Sequence, residues 1–160
     1  MPPYCLDADT FIQAKNRHYA MDVVPAFWSW LDQQAANGAI FSPMMVYDEL
    51  AKGNDELAEW VKARKGSGLF VEATAPVQAV VGEIADYVNA MYRQEHAQYF
   101  LEGADAWVTA HAKVGSAIVV THETLVAANS RRAKIPNICQ RFDVPWIDVF
   151  QMLRDLGARF

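Results

Sequence analysis

The chain has 160 residues, 52% of them hydrophobic and 21% charged, a composition that predicts a globular protein rather than a disordered one. Fourteen Lys and Arg against nineteen Asp and Glu give a net charge of −5, which argues against a broad basic surface for nucleic acid. The two cysteines lie in apolar runs, the N-terminus lacks the pattern of a signal peptide, and no stretch approaches the ~20 apolar residues of a membrane span. These features favour a cytoplasmic protein with reduced thiols and no membrane partner.

The first half of the chain alternates short apolar runs with amphipathic segments. Strands are predicted at 4–6, 39–41 and 69–71, where apolar residues cluster without charges. A helix is predicted over 22–36, with Asn37-Gly38 as its stop. Ser42 is expected to cap a second helix that ends at Gly53, and Asn54 to cap a third.

The second half continues the alternation. Helices are predicted over 76–92 and 103–114, from Pro136, and from Val149 to Leu156, with strands at 117–120 and 145–147. Short, uncharged strands that alternate with helices indicate an α/β domain whose parallel sheet is covered on both faces. We therefore expect a three-layer α/β/α fold with a mostly parallel sheet of four to five strands, in a single domain over residues 1–160.

Four acidic residues stand where such a fold places ligands. Asp7 and Glu123 follow predicted strands, and Glu49 and Asp105 lie in predicted helices among apolar neighbours. Ligands of parallel sheets bind beyond the carboxyl ends of the strands. Two carboxylates about 4 Å apart repel by ~4 kcal/mol at an effective dielectric constant near 20, so a cluster needs protons or cations. Hard oxygen ligands suit Mg²⁺ or Mn²⁺.

Each acid also has a structural interpretation. Asp7 is suited to cap a helix, and Asp105 to favour the positive end of one. Glu49 and its neighbour Asp48 are both compatible with a solvated helix face, and Glu123 with a solvated strand end.

The segments that contain these acids resemble the four acidic motifs of PIN-domain nucleases in order, spacing and placement: 6–12, 46–50, 103–112 and 118–123. Residues 134–139 resemble a bacterial PIN-like subfamily associated with toxin–antitoxin pairs. The resemblance implies a metal-dependent endoribonuclease toxin whose partners are RNA, a cognate antitoxin and a second copy of itself. Asp7, Glu49, Asp105 and Glu123 would be the catalytic, metal-binding acids. Two positions depart from the PIN-domain pattern: most members of that family have Asp at the position of Glu123, and Asn or Ser at the position of Asp9.

Further residues are assigned supporting roles. Asp9, Thr10 and Thr121 are expected to orient or supplement the ligands. Basic residues flank two of the acidic motifs, and they either contact RNA phosphates or are solvated loop charges: Lys15, Arg17, Arg131, Arg132 and Lys134.

Two other functions remain open at this point. Asp7-Ala8-Asp9-Thr10 also resembles the nucleophile motif of haloacid-dehalogenase-type phosphatases, with Asp7 as the attacking group. That family further requires an acidic pair after a later strand, whereas Thr121-His122-Glu123 has none. The third possibility is a PIN-like interaction module without catalytic activity.

Overall fold

The computed structural model describes all 160 residues and places a five-stranded parallel sheet at its centre. The strands are β1 (Tyr4–Leu6), β2 (Ile40–Pro43), β3 (Phe70–Val71), β4 (Ile118–Val120) and β5 (Trp146–Ile147). Their order across the sheet is β3-β2-β1-β4-β5, and every neighbouring pair is parallel. Tyr4 lies opposite both Ile40 and Ile118, so β1 is the central strand.

The strand order places helices on both faces of the sheet. From β1 the chain moves outward through β2 to β3, and it then returns past β1 to add β4 and β5 on the other side. Because parallel crossovers are right-handed, this reversal puts the early connecting helices on one face and the later ones on the other. The predicted α/β/α fold is confirmed, and its sheet, predicted to be mostly parallel with four to five strands, has five strands that are all parallel.

Nine α-helices surround the sheet: α1 (Ala8–Gln13), α2 (Pro25–Ala36), α3 (Met44–Ala51), α4 (Glu56–Lys62), α5 (Ala75–Met91), α6 (Gln94–Glu102), α7 (Asp105–Val114), α8 (Ile135–Arg141) and α9 (Val149–Asp155). A π-helical turn, Ala14–His18, extends α1. Helix α2 begins at Pro25, three residues later than predicted, since proline is favoured in a first turn and not further in. None of the helices combines the length and apolar character needed to cross a membrane.

Two predicted helix caps are wrong. Ser42 belongs to β2, and its buried hydroxyl donates to the Leu6 carbonyl at 2.6 Å, so it bonds the neighbouring strand rather than α3. Asp55, not Asn54, caps α4, because its carboxylate accepts the Ala58 amide at 3.0 Å. Ser42 is therefore part of the sheet, and the start of α4 is set by the carboxylate of Asp55.

Helix α6 is absent from the sequence-based prediction. Only Ala97 and Phe100 are buried among its nine residues, which leaves too narrow an apolar stripe to stand out in the sequence. The helix leads directly into α7 through Gly103 and Ala104. It thereby brings additional side chains to the carboxyl edge of the sheet.

The core lies on both faces of the central strands. Cys5, Leu6, Val119 and Val120 are fully buried, within a cluster of 38 buried hydrophobic residues. Continuous apolar sequence in β1 and β4 follows from burial on both faces. Such rigid packing fixes the positions of the residues that immediately follow these strands.

Candidate active site

The candidate site lies at the carboxyl edge of the sheet, between β1 and β4. This is the point at which the strand order reverses, where open α/β sheets leave a crevice for ligands. Asp7 follows β1 directly, and Thr121 follows β4. The Asp7 amide donates to the Val120 carbonyl at 3.2 Å, which joins the two strand ends.

Asp7 is buried and held by hydrogen bonds. Only 1% of the residue is exposed, and its Oδ1 accepts the Thr10 amide at 2.8 Å and the Thr10 hydroxyl at 2.7 Å, so Asp7 also caps α1. Burial raises the pKa of Asp7 to about 7, although hydrogen bonds from Thr10 and Thr121 act in the opposite direction. The carboxyl group is therefore partly protonated near neutral pH when no cation is bound.

Asp105 lies within electrostatic range of the three other acids. It begins α7, and burial raises its pKa to about 8, with Glu123, Asp7 and Glu49 adding repulsion in that order. Lys134 acts in the opposite direction. Four acids from separate segments of the chain thus share one electrostatic environment, with Asp105 at its centre.

Glu49 reaches this environment from α3. Its Oε1 accepts the Ala104 amide at 3.1 Å, which orients the side chain toward the start of α7. A β-carbon at Gly103 would lie 2.9 Å from the same oxygen, closer than real β-carbons approach. Gly103 therefore provides the space into which Glu49 extends, and Glu49 lies in an open cleft rather than in the core.

Glu123 has a structural contact as well as an acidic neighbour. Its Oε1 accepts the Ile135 amide at 2.9 Å at the start of α8, and its own amide donates to the Thr121 hydroxyl at 3.1 Å. The longer Glu side chain thus spans from the end of β4 to α8. Its carboxylate is engaged by a backbone donor as well as facing Asp105.

Two adjacent depressions expose Glu49, Asp105 and Glu123, whereas Asp7 lies buried behind them. The acidic cleft, of about 400 Å³, is lined by eight residues: Ala8, Asp9, Ile12, Glu49, Tyr99, Glu102, Gly103 and Asp105. The inner cavity, of about 140 Å³, contains Asp105 and Glu123 together with Arg132 and Lys134. Tyr99 is not among the predicted site residues, because it belongs to helix α6, which the sequence pattern does not indicate.

The model of one protein family, described as a domain of unknown function (DUF4411), matches residues 4–160. The chain belongs to the DUF4411 family. No curated protein matches its sequence.

The fold of this DUF4411 chain is PIN-like, as shown by its similarity to solved structures. VapBC-1 from nontypeable Haemophilus influenzae gives a TM-score of 0.53 at 17% identity, with 91% of this chain and 96% of that chain covered. FitAcB from Neisseria gonorrhoeae gives a TM-score of 0.53 at 20% identity, with 90% of this chain and 96% of that chain covered. VapBC2 from Rickettsia felis, in a crystal structure with a DNA fragment from the VapBC2 promoter, gives a TM-score of 0.51 at 13% identity. The match covers 91% of this chain and 97% of that chain.

The acids of the DUF4411 chain fit an open site for a hard cation better than a closed cage. No three His, Cys, Asp or Glu side chains converge closely enough to surround an ion by themselves. Mg²⁺ keeps several waters and binds proteins through one or two carboxylates plus substrate oxygens, so it does not require such a cage. Burial is the main cause of the raised pKa values of Asp7 and Asp105, and neither carboxyl group forms an ion pair with a basic side chain. A divalent cation would supply a neutralising partner.

The predicted RNA-contacting residues of the DUF4411 chain fall into two groups. Arg132 and Lys134 line the inner cavity beside Asp105, and Arg131 lines a neighbouring depression. Lys15 instead forms an ion pair with Asp55 at 3.1 Å, and Arg17 is exposed without an ion pair. The basic residues that follow the last acidic motif are thus the ones beside the acids.

Proposed function

We propose that this chain is a metal-dependent endoribonuclease that hydrolyses RNA phosphodiester bonds and acts as the toxin of a toxin–antitoxin pair. The observation that carries the proposal is the environment of Asp105, in which Glu123, Asp7 and Glu49 all raise its pKa at the carboxyl edge of a PIN-like fold. A protein gathers unpaired carboxylates at such a cost when cations neutralise them during function.

In this proposal the four acids bind Mg²⁺ or Mn²⁺ and the remaining groups orient them. When bound, the ion lowers the pKa of a coordinated water and stabilises the leaving oxygen. Thr10 fixes Oδ1 of Asp7 through two hydrogen bonds, so Oδ2 would be the oxygen that binds a cation. The Ala104 amide orients Glu49, and the Ile135 amide orients Glu123, each through its Oε1. Asp9 and Thr121 supplement these contacts.

The substrate contacts follow from the charges beside the acids. Arg132 and Lys134 lie in the same cavity as Asp105 and Glu123, where they would bind phosphates on either side of the cleaved bond. Arg131 lies in the adjoining depression and would extend this contact. Lys15 and Arg17 would contribute only at the periphery, because Lys15 is already paired with Asp55.

The toxin assignment rests on the structural neighbours, which are VapBC and FitAB complexes. By analogy we infer a cognate antitoxin as partner, association with a second copy of this chain, and action in the cytoplasm. A phosphatase in which Asp7 attacks phosphorus is less compatible with the sequence, since that family requires an acidic pair after a later strand and Thr121-His122-Glu123 has none. The non-catalytic alternative is an outcome of the experiment below.

The experiment is cleavage of a labelled single-stranded RNA by the purified chain with Mg²⁺, with Mn²⁺, or with a chelator. We expect cleavage only with a divalent ion, and its loss in Asp105→Asn and in Glu49→Gln. Asp48→Asn is the control, because Asp48 adjoins Glu49 on α3 but lines neither depression. Cleavage that persists in both site variants, or no Mn²⁺ binding by calorimetry, would contradict the proposal.

A further inference from the structure

Three neighbouring depressions, which together form a groove, lie in a row along α6, from the acidic cleft through the inner cavity to a basic pocket. The acidic cleft and the inner cavity share Tyr99 and Asp105. The inner cavity in turn shares His96 with the basic pocket, a depression of about 320 Å³ that is lined by Arg93 and Arg131. Because His96 and Tyr99 are three residues apart on α6, the depressions follow one another along this helix.

The charge along the groove changes sign. Asp9, Glu49 and Glu102 lie at one end, and Arg93 and Arg131 lie at the other. An RNA strand with one phosphate at a cation-filled acidic end would place its next phosphates among guanidinium groups, which bind phosphate oxygens in pairs. The groove thus matches the charge pattern of a strand that passes through it in an extended form.

Tyr99 stands where the acidic cleft meets the inner cavity. It is 74% exposed, and its ring packs against no other aromatic ring. Its neighbour is Arg132, whose guanidinium carbon lies 5.9 Å from the ring centroid. An exposed aromatic ring facing a guanidinium group, in a groove of this charge pattern, matches the surfaces on which proteins stack unpaired bases.

The spacing of this pair is close to that needed for a base. A planar base in contact with both groups needs ~3.5 Å on each side, or roughly 7 Å in total. The observed separation is 5.9 Å, and both side chains are exposed, so rotation of either one opens the required space.

We propose that Tyr99 and Arg132 hold one unpaired base of the RNA between them, directly beside the acidic cleft, while Arg93 and Arg131 bind phosphates further along the strand. This inference rests on the proposed function, because it assigns the residues that position the strand for cleavage. A base within a duplex is stacked on its neighbours, so double-stranded RNA would not be accepted at this point.

The test measures binding separately from cleavage. Short single-stranded RNAs carry the fluorescent base 2-aminopurine at successive positions, and anisotropy and quenching are recorded in a chelator, where no metal-dependent cleavage occurs. We expect quenching at one position with the wild-type chain and with Tyr99→Phe. Tyr99→Ala should abolish the quenching and weaken binding about 5- to 100-fold.

Arg132→Ala should also weaken binding. Arg141→Ala is the matched control, since Arg141 lies 5.0 Å from the Tyr87 ring but outside the groove.

An abasic nucleotide at the quenched position should weaken binding to the wild-type chain and have no further effect on Tyr99→Ala. Unchanged affinity in Tyr99→Ala, or equal affinity for duplex RNA, would overturn the inference.

Cleavage with Mn²⁺ is measured in parallel. If the wild-type chain cleaves RNA and Tyr99→Ala binds it normally, only this inference fails. If base stacking is observed without any cleavage, only the proposed function fails.

Discussion

At the scale of single residues, the site is dominated by the cost of burying negative charge. Asp7 and Asp105 have pKa values raised to about 7 and about 8, with desolvation as the largest cause in both. An unfolded chain would leave both groups near their usual pKa of about 4. The folded, metal-free protein therefore holds protons that the unfolded chain has already lost.

Asp105→Asn should stabilise the metal-free protein in a pH-dependent way. Between pH 4 and pH 8 the folded state binds the Asp105 proton more tightly than the unfolded state, so the unfolding free energy falls as pH rises. The variant lacks this titration and should exceed the wild type by a few kcal/mol at pH 8, with equal stability near pH 4. Urea unfolding in a chelator at several pH values measures the difference. Asp86→Asn, at an exposed position on α5, is the control.

Gly103→Ala should disable the site without unfolding the protein. The added β-carbon would lie 2.9 Å from the Glu49 Oε1, so the exposed Glu49 side chain must move and lose its bond to the Ala104 amide. We expect cleavage to fall at least about tenfold, which corresponds to roughly 1.4 kcal/mol. Thermal stability should change little.

Gly82→Ala provides the matched control for this glycine substitution. Gly82 lies within α5 with no atom near its would-be β-carbon, so the change should raise stability by about 0.5–1 kcal/mol and leave cleavage unaltered. Normal cleavage by Gly103→Ala would show that the orientation of Glu49 does not matter.

At the scale of elements, the short strands and the acids at their ends are the features most readable from sequence. Strands β1 and β4 are buried on both faces, which makes their sequences uniformly apolar and conspicuous. Asp7, Glu49, Asp105 and Glu123 stood out because each is an acid beside such apolar segments. Their mutual approach could not be derived from the spacing along the chain, since it depends on the order of the strands.

Helix α6 marks the limit of sequence-based prediction here. It exposes His96, Tyr99 and Glu102 to the groove, so the pattern of apolar residues that identifies other helices is reduced to Ala97, Phe100 and the half-buried Leu101. The sequence offers only Glu95 in the first turn as a start signal, because Arg93 is not a residue type that caps helices. A helix whose polar face lines a groove is hard to distinguish from a loop for this reason.

Glu123 accepts a hydrogen bond from the first residue of α8, so substitutions at Glu123 can distinguish its contribution to stability from its contribution to cleavage. Glu123→Gln keeps an oxygen that accepts the Ile135 amide, whereas Glu123→Ala removes it. We expect the unfolding free energy to be maintained in the Gln variant and to fall by about 1 kcal/mol in the Ala variant. Both should lose Mn²⁺-dependent cleavage. Equal stability of the two variants would mean that the hydrogen bond contributes nothing to α8.

At the scale of the whole molecule, a divalent ion should couple folding to pH. Cation binding to the folded state displaces protons from Asp7 and Asp105, so it should be weak at pH 5 and strong at pH 8. We expect Mn²⁺ to raise Tm at pH 8 and much less at pH 5, as measured by calorimetric scans. An equal rise at both pH values would place the ion elsewhere, and Asp105→Asn should reduce the rise at pH 8.

The sheet order also has a consequence for how the chain is made. β1 is translated first, yet one of its two neighbours is β4, and the Thr10 hydroxyl contacts the Val120 carbonyl across 110 residues of sequence. While the ribosome is still producing the middle of the chain, one edge of the central strand has no partner, and Asp7 has no β4 to lie against. A nascent or truncated polypeptide that ends before β4 therefore lacks Glu123 and cannot assemble the inner cavity, and synthesis itself delays the formation of that cavity.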